Sequence, residues 1–238
     1  MIVAPVNADL TEVAFTIQAT NSQGSATYEV MTSSLQYDPT EQHWWWDMSG
    51  SFDLVDSGTF QTIASINGLS MSFIADPQIS FGFSVQAGAF DTTFSIGSGL
   101  LSFLTIDPAI GLASGGLLLT DTNNNTASLT GLHAGGGAYV AQYNGQAPGG
   151  STFAELFTSP LTTTVNGTNS INQEFPGGGI YSAIGVPVTD ISAQFSFLLS
   201  AGDIASGSSN FEVIPTPSGF LVLVGGLLAG RKRRRRLG

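Results

Sequence analysis

Polar and apolar residues alternate along much of this chain. In QISFGFSVQA, Gln78–Ala87, the residues Ile79, Phe81, Phe83, Val85 and Ala87 take every second place, with Gln78, Ser80, Gly82, Ser84 and Gln86 between them. A period of two sends one set into a core and the other toward water, which predicts a strand. The same pattern recurs at Val13, Phe15 and Ile17, at Leu69, Met71 and Phe73, and at Ile191, Ala193, Phe195 and Phe197.

Turn residues separate these runs: Asp76-Pro77, Asp107-Pro108, DTNNNT from Asp121, GGG from Gly135 and PGGG from Pro176. Many short strands so spaced predict an all-β fold, an antiparallel β-sandwich of jelly-roll-like form. Only STFAELFTSPL, from Ser151, reads locally as a helix, with Ser151 as its cap and Pro160 ending it. No repeat of 20 to 50 residues is visible, which argues against a solenoid. The small polar stretch AGDIASGSSN, from Ala201, reads as a spacer that runs on to Ile214.

Composition agrees with strands and turns rather than salt-bridged helices. Charged residues are 10% of the 238 and glycines number 30, where an average domain is about 25% charged and about 7% glycine. All 17 acids precede Arg231 and all six basic residues follow Gly230, so everything before Arg231 carries a net charge of −17. Such a body repels nucleic acid and anionic membranes. With no cysteine, disulfides, thiolate metal sites and a cysteine nucleophile are all excluded.

Catalytic signatures are missing. His43 and His133 lie 90 residues apart, with no G-x-S-x-G elbow and no H-E-x-x-H pair. The many serines and acids select no triad and no carboxylate pair, so the sequence predicts a non-enzymatic protein, with a polysaccharide hydrolase as the weaker reading. EQHWWWD, from Glu41, holds all three tryptophans. On a strand Trp44 and Trp46 share one face and Trp45 takes the other, so an indole beside carboxylates becomes a candidate glycan-stacking surface; the plainer reading buries the rings. Asp121, Asn123 and Asn125 stand at the first, third and fifth places of a calcium loop. Thr126 and Leu132 replace its glycine and glutamate, so calcium is a candidate cofactor only at a surface site, against the simpler reading of an Asx-rich turn.

The end of the chain is different in kind. Pro215-Thr216-Pro217-Ser218 precedes an apolar stretch of 12 residues, 219–230, containing Phe220, Leu221, Val222, Leu223, Val224, Leu227 and Leu228. As a helix it would reach about 18 Å, short of the ~30 Å hydrocarbon core. Arg231, Lys232, Arg233, Arg234, Arg235 and Arg236 follow, and such a cluster holds its side of a membrane segment in the cytoplasm. A nucleic-acid or nuclear-import reading leaves the apolar stretch unexplained, and a buried helix would set six cations beside the core with no acid in the preceding turns.

Pro-x-Pro-Ser, a short Leu/Gly/Ala-rich helix and a terminal arginine cluster resemble the PEP-CTERM sorting signal of bacterial exported proteins, over about the last 25 residues. Thr216 stands where that signal usually has Glu, which marks a variant. The resemblance implies export, transient inner-membrane retention, an exosortase-type sorting enzyme as partner, and a final place in the cell envelope, at the surface or in the extracellular matrix. At the other end Val6-Asn7-Ala8 looks like the tail of a cleaved signal peptide, so the reading frame is expected to extend upstream and the mature chain to begin near Asp9. The expected organisation is a signal remnant at 1–8, a sandwich at 9–200, a spacer at 201–214 and the sorting signal at 215–238. The expected role is structural or adhesive, with carbohydrate binding as the alternative and extracellular polysaccharide as a candidate partner.

Overall fold

The computed structural model describes residues 8–216. In chain order the strands are β1 (Asp9–Leu10), β2 (Val13–Asn21), β3 (Gly24–Met31), β4 (Gln36–Asp38), β5 (His43–Asp47), β6 (Phe52–Val55), β7 (Thr62–Ile74), β8 (Gln78–Ala87), β9 (Thr92–Ser98) and β10 (Leu101–Ile106). They continue as β11 (Ala109–Thr120), β12 (Ser128–Gly131), β13 (Tyr139–Tyr143), β14 (Ser151–Leu156), β15 (Leu161–Thr162), β16 (Thr168–Phe175), β17 (Ser182–Ile184), β18 (Val188–Leu199) and β19 (Ile204–Pro215). The pairings are antiparallel and form two sheets, so the chain is a β-sandwich.

The first sheet follows the order β1-β10-β18-β9-β2-β3, with β12 and β13 also pairing β18 and carrying β15 and β14. The second follows β16-β11-β19-β8-β7-β5-β4, with β17 on β11 and β6 on β7. The alternating runs supply the facing layers. Ile79, Phe81, Phe83 and Val85 of β8 are buried against Phe195 and Phe197 of β18, and all the turn signals fall between strands. Phe195 is the hub: its ring lies 5.7 Å from Phe81, 4.9 Å from Phe83, 4.8 Å from Tyr139 and 6.3 Å from Phe157.

Two expectations are corrected. The helix predicted from Ser151 is strand β14, paired with β13. Local helix propensity is weak beside an available partner strand, and Ala154 and Leu156 alternate into the core. The spacer predicted at 201–214 is mostly β19, a central strand with 12 residue pairs to β11 and nine to β8. Its small residues serve packing rather than flexibility. A Cβ on Gly207 would come within 2.5 Å of the Phe83 ring, a close approach only glycine permits.

At the end of the sandwich remote from Pro215, Asp56 joins the two sheets. Its carboxylate accepts the backbone N–H groups of Thr59 at 2.7 Å, Ser25 at 3.0 Å and Gly58 at 3.0 Å, and the Thr59 hydroxyl at 2.9 Å. These bonds, led by Thr59 N–H, hold its pKa down at about 2 against an ordinary 3.8. A lowered native pKa stabilises the fold above the unfolded value, and that share is lost as pH falls through the native value. Asp56→Ala is therefore expected to lower Tm by a few degrees at pH 7, with the gap to the parent closing between pH 3.8 and about 2. Thermal melts across that range check it, and a gap that did not change with pH would refute the assignment.

Candidate functional site: a trough across the second sheet

The outward positions of the second sheet are in register across six strands. One row reads Trp45, Ser72, Ser80, Asn210, Ser114 and Glu174, on β5, β7, β8, β19, β11 and β16. The next reads Asp47, Ser70, Gly82, Ser208, Gly116 and Asn172. Alternation that buries phenylalanines on the inner face leaves serine, glycine and asparagine outside, and short side chains between longer ones make a depression. Three adjoining hollows of about 460, 400 and 370 Å³ share Ser208 in their lining and together form a trough across the sheet.

Trp45 stands at one end, partly exposed, with Asp47, Ser70, Ser72 and Gly82 beside it. Its indole lies 5.0 Å from the His43 ring, tilted by 32°, and His43 Nε2 is 2.8 Å from Ser72 Oγ. That bond braces the aromatic pair. Trp44 and Trp46 face the other way and pack on the core, Trp44 stacking at 4.7 Å on Tyr37. The β-strand parity read from the sequence therefore separates one surface indole from two packing ones.

At the trough centre Asn210 Oδ1 accepts Ser80 Oγ at 2.6 Å and Gln78 Nε2 at 2.5 Å. Its amide nitrogen makes no hydrogen bond among the described residues. At the far end Glu174 accepts Gly179 N–H at 2.5 Å, pinning the glycine-rich loop that follows β16. Beyond the trough's edge Tyr181 donates to Glu212 at 2.7 Å, and this bond raises the phenol to about 12.

No family model matches the chain, and no curated protein does. Among solved structures it is similar to the CBM22-1 xylan-binding domain of Paenibacillus barcinonensis Xyn10C, with 9% identity over 73% of this chain and 87% of that one, at a TM-score of 0.22. It is also similar to a structure of infectious bursal disease virus, Gx strain, with 14% identity over 96% and 72% of the two chains and a TM-score of 0.25. Neither likeness is close enough to bear on ligand or activity.

The remaining candidates are distributed around the molecule. Asp121 lies at the end opposite Pro215, 5% exposed, and its two oxygens accept the backbone N–H groups of Asn123, Asn124, Asn125, Thr126 and Asn166. Burial alone would raise its pKa, but the N–H groups of Asn166, Thr126, Asn123 and Asn125 outweigh it and lower the value. Asn123 donates to Ala201 O at 2.6 Å. Asp121 and Asn123 thus bind the loop to itself and to the turn before β19, and among the described residues no group of three or more acid, histidine or cysteine side chains converges on a cation position.

Among the described residues neither histidine completes a catalytic triad. Ser72 and His43 are bonded, yet among the described residues no carboxylate hydrogen-bonds the second imidazole nitrogen, the partner that would fix the tautomer of a working triad. His133 belongs to the other sheet's side, at 3.3 Å from Gln194 O, and burial depresses its pKa against the opposing pull of that bond and of Glu155. Of the residues expected to form a sorting signal, Pro215 ends β19 opposite Ala109, and Thr216 N–H donates to Pro108 O at 3.0 Å. Pro217, Ser218, the apolar stretch with its predicted helix, and the arginine cluster lie outside the described residues, as do residues 1–7. Among the described residues no helix is long and apolar enough to cross a membrane.

The sequence drew attention to Trp45 but missed the trough. Its floor comes from residues as distant as Ser80, Ser114 and Ser208, which carry no motif. The one usable signal was alternation with unusually small outward residues in Gln78–Ala87.

Proposed function

We propose that this protein is an exported, non-enzymatic component of a bacterial surface or extracellular matrix, sorted through its C-terminal PEP-CTERM-like segment and adhering to extracellular polymer through its sandwich. The observation that carries the reading is the course of β19. This central strand delivers Pro215 and Thr216 to one end of the sandwich, immediately before the apolar and basic segments. A tail rooted in the middle of a sheet transmits load to the whole core, as an anchored adhesive body requires.

The described N-terminus points to the same end. β1 runs antiparallel to β10, with Asp9 opposite Ser102, so Ala8 lies toward the β10–β11 turn that Thr216 also contacts. Held there, the molecule presents its broad sheet faces and opposite end outward. Its acidic body, with no lysine or arginine before Arg231, stays off anionic lipid headgroups, leaving the tail as the membrane-directed part.

Intact mass of the natural protein from envelope and medium, with both ends sequenced, tests the reading. The expected species begins near Asp9 and ends at or beyond Thr216, without the arginine cluster. A soluble cytoplasmic species that retained the cluster would overturn it.

A further inference from the structure

We infer that the trough across the second sheet is a binding site for an uncharged, extended polysaccharide lying across the strands. It would rest on Trp45 at one end and reach Asn172 and Glu174 at the other. This deepens the adhesive reading above by naming the ligand class and the face, and it rests on that reading for its biological setting.

Shape is the first argument. From β5 to β16 there are five strand intervals, and at ~4.8 Å each the trough is about 24 Å long. Its hollows are open to solvent, and Gly82, Gly116 and Ser208 stand among the residues that line them. A small metabolite needs enclosure to bury most of its surface, whereas a polymer chain gathers its contacts along an open path. A pyranose unit is about as long as one strand interval, so four to five units fit by the same spacing.

Chemistry is the second. Trp45 offers an aromatic face held in place by His43, which suits the apolar C–H face of a sugar ring. The centre offers the Asn210 amide nitrogen beside the Ser114 and Ser208 hydroxyls, which can donate or accept as a sugar hydroxyl demands, while Ser80, its proton given to Asn210, can accept. Asp47 and Glu174 near the two ends add acceptors for hydroxyl protons.

Charge is the third, and it selects among polymers. There is no lysine or arginine among the described residues, so uronate, sulfate or phosphate groups find no counter-ion in the trough and are repelled by Asp47 and Glu174. An extended peptide would gain affinity mainly from backbone pairing at a sheet edge. The trough lies on the face of the sheet, where the backbone groups are already paired.

Affinity electrophoresis of the full chain through gels containing hydroxyethylcellulose, galactomannan, arabinoxylan or alginate tests this directly. Retardation is expected in at least one neutral polymer and not in alginate. Trp45→Ala should weaken it at least tenfold. Ser208→Gln, at an outward position where a longer side chain blocks the path without touching the core, should do the same at unchanged Tm. Trp44→Phe, on the inner face, should leave the affinity as it was.

Retardation that survives both Trp45→Ala and Ser208→Gln would overturn the trough as the site while leaving the adhesive reading intact. Absence of retardation in every neutral polymer, or equal retardation in alginate, would overturn the ligand class. The sorting reading is judged separately by the processed ends.

Discussion

A chain stopped after Ser200 is expected not to fold, whereas one stopped after Thr216 should melt as the full chain does. Removing β19 takes 12 residue pairs from β11 and nine from β8, and with them Phe211 and Val213, both fully buried. The second sheet would be split into two parts, with unpaired backbone groups on both new edges facing the core region. Each such group costs on the order of 1–3 kcal/mol when left without a partner. A whole domain has only about 5–15 kcal/mol of net stability, so several of them exceed it. Circular dichroism and limited proteolysis of the two truncations decide the matter. A cooperative thermal transition in the shorter chain would mean that 201–214 is a spacer after all. By the same reasoning, the proposed processing is expected to cut at or beyond Thr216, since a cut within Ile204–Pro215 would remove part of a central strand.

Phe195→Ala is expected to cost more stability than either Asp56→Ala or any substitution in the trough. Its ring is fully buried and meets Phe81 and Phe83 of the facing sheet and Tyr139 and Phe157 of its own side. Truncating such a residue loses transfer free energy and leaves a cavity that neighbouring rings fill poorly, at about 3–5 kcal/mol. For a domain of this size that corresponds to a fall in Tm of about 10 °C. Phe60→Ala is the matched control: its ring is 80% exposed, and its loss should move Tm by no more than about 2 °C. Urea denaturation of both variants measures the difference directly, and a cost below about 1 kcal/mol for Phe195→Ala would remove it from the centre of the core.

The two corrected segments show where local reading stops. STFAELF contains good helix formers, and nothing within it announces that Tyr139–Tyr143 waits alongside as a partner strand. AGDIASGSSN has the composition of a linker because a strand crossing beneath the Phe83 ring and beneath an open trough needs glycine inside and serine outside. Flexibility and close packing demand the same small residues, and only the neighbours distinguish them.

The class of fold was legible in the order of residues alone. A period of two in Gln78–Ala87, Leu69 to Phe73 and Ile191 to Phe197, cut by Asx, Pro and Gly turns, admits little except short antiparallel strands around one core. So was the parity of EQHWWWD, because successive side chains on a strand must point oppositely whatever lies beside them. The separation of charge into an acidic body and a basic tail needed no structure either. Which strands are central emerged only from the folded chain, since pairing energy belongs to partners far apart in sequence. The shared row of Trp45, Ser72, Ser80, Asn210, Ser114 and Glu174 emerged in the same way. A trough is a property of register between six strands, and register is set by how the buried faces of all of them interlock.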